Sequence, residues 1–80
     1  MSYLPITVRT YAGYRGEQRP TAFEHGGRWI LVEEIVEEAV ELSGGRIWRR
    51  FRIRAEGNLF TLRRDEQLGA WFLEHGRTER

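Results

Sequence analysis

From Leu4 to Tyr11 the side chains alternate, with Leu4, Ile6, Val8 and Thr10 on one edge and Pro5, Thr7, Arg9 and Tyr11 on the other. A period of two turns successive side chains to opposite faces of an extended chain, so one strand is predicted over 4–11. Ala12 to Pro20 holds two Gly and a Pro, which interrupt any regular period and predict an exposed loop. A short strand centred on Phe23 is expected over 21–25, ahead of the Gly26-Gly27 pair. Ile47 to Ala55 alternates again. Ile47, Phe51, Ile53 and Ala55 face one way, Trp48, Arg50, Arg52 and Arg54 the other, and Arg49 interrupts the apolar side. Glu56-Gly57-Asn58 reads as a turn, 59–63 as a strand, 65–69 as a second turn and 70–74 as a last strand. Strands and turns recurring about every ten residues describe an antiparallel meander.

Residues 28–42 support two readings. At 100° per residue, Trp29, Leu31, Val32, Ile35, Val36, Ala39, Val40 and Leu42 cover one half of a helical wheel and five Glu the other. Against a helix, β-branched side chains crowd the segment and no Ser, Thr, Asp or Asn caps its start. Ser43-Gly44-Gly45-Arg46 ends it either way, as a helix cap or as a hairpin turn whose central glycines take positive φ.

Composition narrows the chemistry. Eighty residues allow one small domain. Thirteen basic and 12 acidic residues leave a net charge of +1, which by itself selects neither nucleic acid nor an acidic partner. Cys is absent, so disulfides, thiolate metal sites and a cysteine nucleophile are excluded. All basic residues are Arg, and the lack of Lys removes Schiff-base chemistry and a Walker-type phosphate loop. The longest apolar run, Trp29 to Val32, falls far short of the roughly 20 residues that span a bilayer, and no export signal opens the chain. A cytoplasmic protein with no membrane association is therefore expected.

Catalytic material is thin. His25 and His75 stand far apart without metal-motif spacing, Ser43 lies in a turn, and Asp65, the only Asp, suits a turn better than a general acid. No catalytic residue, metal site or cofactor is expected. Local charge is more informative: residues 33–41 carry five Glu and no Arg, whereas 46–64 carry seven Arg and one Glu. Pairing the two segments about Gly44-Gly45 sets Leu42 against Ile47, Val36 against Ile53 and Glu37 against Arg52, so each charge row offsets the other. Left uncovered, Arg50, Arg52 and Arg54 with Trp48 form a basic-aromatic strand of the kind that holds phosphates and stacks on a base. Tyr14, Arg15 and Arg19 in the 12–20 loop suit an interaction hot spot, or equally a loop folded over the open end of a small barrel.

Several segments together resemble a known family. They are Tyr11 to Pro20, Phe23, Gly27-Arg28, Val32-Glu33-Glu34-Ile35, Phe51 to Ala55, Leu62 to Glu66 and Gly69-Ala70-Trp71. The chain is similar over about 6–73 to short bacterial domains of unknown function, which stand alone or are appended to Y-family DNA-polymerase-like repair proteins. The resemblance implies an all-β domain with a strand at 29–36, and it assigns no catalytic residue. The chain departs from the family pattern after Ile35. The expected fold is thus one antiparallel β domain over 1–80, ordered at about 4–75 with a polar tail at 76–80. It would be a barrel or bent sheet on the scale of SH3-like or OB-like modules, with α+β and one helix near 30–42 as the alternative. Core candidates are Ile6, Val8, Phe23, Leu31, Ile35, Phe51, Ile53, Phe60, Leu62 and Trp71. The expected function is binding without catalysis. DNA or RNA would bind through Trp48, Arg50, Arg52 and Arg54; a protein-interaction adaptor is the alternative, and a small enzyme is a third reading.

Overall fold

The computed structural model describes residues 2–12 and 18–75. Its eight strands are β1 (Ser2–Ile6), β2 (Val8–Ala12), β3 (Gln18–His25), β4 (Arg28–Leu31), β5 (Glu34–Ser43), β6 (Arg46–Ala55), β7 (Asn58–Asp65) and β8 (Trp71–His75). All pairings are antiparallel. They make a five-stranded sheet in the order β1-β8-β7-β6-β5 and a three-stranded sheet in the order β2-β3-β4. The fold is all-β as expected, but two separate sheets replace the barrel. The helical alternative at 30–42 gives way to β4 and β5. Among the described residues no helix is long and apolar enough to cross a membrane.

The β5–β6 hairpin turns on Gly44 and Gly45, with φ of 61° and 75°, a conformation that costs Gly nothing. This turn sets Leu42 opposite Ile47 and Glu37 opposite Arg52, as the alternation requires. Val36 does not face Ile53. The register shifts between Ile35 and Glu37, Ile35 takes the place opposite Ile53, and Val36 is left as the extra residue of a bulge. The bulge also explains the helical appearance of the segment. Ile35 before it and Val40 and Leu42 after it share one face only because an extra residue changes the parity between them.

Two further expectations are corrected. The single strand at 4–11 is broken at Thr7, so β1 joins the large sheet beside β8 and β2 joins the small one beside β3. The 12–20 loop is shorter than expected, because Gln18, Arg19 and Pro20 already belong to β3. A second register shift there leaves Thr21 unpaired, and its hydroxyl donates to the Arg9 carbonyl at 3.2 Å.

The core lies between the sheets. Phe23 and Ile30 of the small sheet meet Phe51, Ile53, Ala55, Leu62, Trp71 and Leu73 of the large one. Phe23 packs edge-on to Phe60 with ring centroids 5.2 Å apart, and Phe51 lies 5.6 Å from Trp71. Ile6, Val8, Ile35 and Phe60 are partly buried around this centre. Leu31 is not in the core: it is 72% exposed, because pairing of Phe23 with Ile30 turns Ile30 inward and Leu31 out. Ile47 is also largely exposed, since the hairpin carries it beyond the small sheet. Arg28 links the sheets across the β6–β7 turn, donating to both Glu56 carboxylate oxygens at 2.8 and 2.7 Å.

Phe51→Ala should cost roughly 3–5 kcal/mol by emptying the centre of this core, whereas Leu31→Ala should stay within about 0.5 kcal/mol. Urea unfolding of the two variants checks the assignment, and equal losses would contradict the inward phase of Ile30.

Candidate interaction surface

Alternation along β6 forces Trp48, Arg50, Arg52 and Arg54 onto the face opposite Phe51, Ile53 and Ala55, which is the outer face of the large sheet. Register then decides their neighbours. Arg50 lies between Ala39 and Arg63, Arg52 between Glu37 and Thr61, and Arg54 between Glu34 and Leu59. The same face receives Phe72 and Glu74 from β8 and Tyr3 and Pro5 from β1.

Most of the cations are occupied. Glu41 bridges Arg50 at 3.4 Å and Arg63 at 2.9 Å, which offsets the repulsion between two guanidinium groups that β-pairing sets side by side. Arg63 lies 3.7 Å from Glu74, and Arg54 meets Glu34 at 3.4 Å. Arg52 makes no ion pair among the described residues and faces Glu37 across the ladder. Five Arg (46, 50, 52, 54, 63) and five carboxylates (Glu34, Glu37, Glu41, Asp65, Glu74) therefore share the face, and its formal charge is zero.

An aromatic group adjoins these pairs. Trp48 stacks on Tyr3 with centroids 6.4 Å apart and meets Phe72 edge-on at 5.9 Å. The Arg63 guanidinium lies 5.3 Å from the Tyr3 ring centre, within cation–π range, and its side chain is only 12% exposed. Tyr3 remains 45% exposed. The face thus offers a partly open aromatic patch fixed by a nearly buried Arg.

Arg49 and Arg19 belong to a different arrangement on the inner side. Arg49 pairs with Glu38 at 3.0 Å and Glu66 at 3.7 Å, Arg64 with Glu66 at 2.7 Å, and Arg19 with Glu38 at 3.7 Å. This row of alternating charge fills the end of the sandwich where the apolar core stops. Arg19 thus lies on strand β3 and not in the 12–20 loop, 3.7 Å from the Glu38 carboxylate. Tyr14 and Arg15 lie outside the described residues. The surface brings Trp48, Arg50, Arg52 and Arg54 together as expected. It also adds Tyr3, Phe72 and Arg63, which the sequence reading did not single out.

Asp65 closes the β7–β8 turn, as its residue type suggests. One carboxylate oxygen accepts from the Gln67 and Leu68 amides at 2.9 and 3.1 Å, and the other accepts from Arg46 at 2.9 Å. Burial alone would raise this carboxyl, but the Leu68 and Gln67 amides and Arg46 outweigh it and hold Asp65 below its ordinary value. Among the described residues no group of three or more His, Cys, Asp or Glu side chains is arranged to hold a metal ion. Comparison with protein-family models, curated proteins and solved structures finds no match to this chain.

A carboxyl lowered in the folded state contributes stability above its unfolded value, and that contribution is lost as pH falls through the folded value. Thermal melts should therefore show a falling midpoint below about pH 4 that is less steep in Asp65→Asn. Parallel pH profiles for the two proteins would show that Asp65 titrates alike folded and unfolded.

Proposed function

We propose that this protein is a protein-interaction module without catalysis, whose partner docks on the outer face of the large sheet around Tyr3, Trp48 and Phe72. The observation that carries the reading is the matching of Arg50, Arg54 and Arg63 by Glu34, Glu41 and Glu74. A phosphate track needs uncompensated cations, because its affinity comes from counterion release. Here a nucleic acid would have to displace carboxylates already in place. What the face retains is an aromatic patch with a nearly buried Arg, the residue types that dominate protein interfaces. The resemblance to domains that stand alone or sit beside repair proteins suits an adaptor as well.

A nucleic-acid reading keeps one observation in its favour. Arg52 has no ion pair among the described residues and lies on the same face as the Trp48 ring. Single-stranded oligonucleotides separate the two. The adaptor reading expects negligible affinity at low salt and reduced folding stability when Arg50, Arg52 and Arg54 are all changed to Gln. Binding whose log K falls against log salt with a slope of roughly −2 to −3, flattened by that triple change, would replace the adaptor by a single-strand binder. Once a partner is purified, Trp48→Ala should weaken it by about 2 kcal/mol or more in titration calorimetry.

A further inference from the structure

We infer that the free edge of β5 is a strand-addition site for an extended segment of a partner protein in which basic and aliphatic residues alternate. β5 is the last strand of the large sheet and pairs only with β6 among the described residues. Its one bulge lies at Val36, so Glu37 to Ser43 forms an uninterrupted ladder of roughly 23 Å. Ser43 and Arg46 flank the two-residue turn and exchange hydrogen bonds with each other. Alternation then aims the N–H and C=O groups of Leu42, Val40 and Glu38 away from β6. Natural proteins blunt such edges, because open amides and carbonyls capture other strands.

Side chains select the occupant. Val40 is 59% exposed and Leu42 77%, and they lie with Ile47 on the core-facing side of the large sheet, at the hairpin end beyond the buried cluster. Glu34, Glu37, Glu38 and Glu41 stand along the same strand, with Glu37 free of ion pairs among the described residues. A second copy of β5 would bring four more Glu and no cation to the seam, which disfavours self-pairing. A nucleic acid meets the wrong sign of charge.

β6 illustrates what suits this row. It answers Glu34, Glu38 and Glu41 with Arg54, Arg49 and Arg50, and it sets Ile47 against Leu42. A strand arriving on the opposite edge meets Val40 and Leu42 on one face and, on the other, Glu37, which has no ion pair among the described residues, beside Glu41, which two Arg already share. The acidic strand therefore repels copies of this chain, and Glu37 is the carboxylate left to pair with a basic one. This edge is distinct from the aromatic patch around Trp48 and does not depend on it.

The probe is a peptide of alternating Arg and Val long enough to cover 37–43, with a Glu-Val peptide of equal length as control. Amide exchange and chemical shifts by NMR should show the Arg-Val peptide protecting the amides of Glu38, Val40 and Leu42, and the control leaving them unchanged. Val40→Pro deletes one outward amide, which an edge strand tolerates, and should weaken the peptide about tenfold, as expected for losing a backbone bond and local strand geometry. If that variant unfolds, Glu37→Arg serves instead, since it breaks no ion pair among the described residues and should also weaken binding. Equal binding of the control, shifts gathered on Tyr3, Trp48 and Phe72, or no response at about 1 mM peptide would each overturn the inference.

Discussion

Burial of one face of β6 is the constraint on which the rest depends. Phe51, Ile53 and Ala55 must meet Phe23 and Ile30 across the sandwich, the one buried apolar cluster among the described residues. A strand cannot hide one face without displaying the other. Fixing those three inward obliges Arg50, Arg52 and Arg54 outward, along with Trp48.

An outward row of Arg then creates its own requirement. Arg50 and Arg63 are brought opposite each other by the β6–β7 register, and like charges in that position repel. The Glu-rich strand β5 is the counterpart, delivered by a hairpin whose glycine turn fixes which carboxylate reaches which guanidinium. Arg63 is nearly enclosed, with Glu41 and Glu74 on its polar edges and the Tyr3 ring over it. The segregation of charge along the chain is therefore resolved within the sheet, which leaves the aromatic patch as the distinctive surface. The same solution leaves β5 on an edge, with Val40 and Leu42 exposed beyond the core.

Much of this was legible because period two is a strong signal where one face is buried. The β6–β7–β8 meander follows from it, while the Gly44-Gly45 turn and the turn role of Asp65 follow from residue type. The break at Thr7 was not legible. Leu4, Ile6 and Val8 keep one alternation while the chain passes from one sheet to the other, so the pattern carries no mark of the change. Trp29-Ile30-Leu31-Val32 is apolar throughout and has no phase of its own. Only pairing with Phe23 decides that Ile30 turns inward. The Val36 bulge did leave a trace, since Ile35 and the pair Val40 and Leu42 differ in parity. A helical period accounts for that trace equally well. Among surface residues, the grouping of Tyr3, Trp48 and Phe72 required three strands to be aligned, and Arg19 appeared free because its partner Glu38 lies on another sheet.

The central claim is that the outward Arg residues are engaged by Glu and stabilise the sheet as pairs. A double-mutant cycle on Glu41 and Arg63, read by urea unfolding in dilute buffer, tests it most directly. The account predicts a favourable coupling of about 0.5–1.5 kcal/mol, since both groups are partly shielded from water and Glu41 serves two Arg at once. A coupling indistinguishable from zero would contradict it, because Arg63 would then stand uncommitted on a face free to receive phosphates.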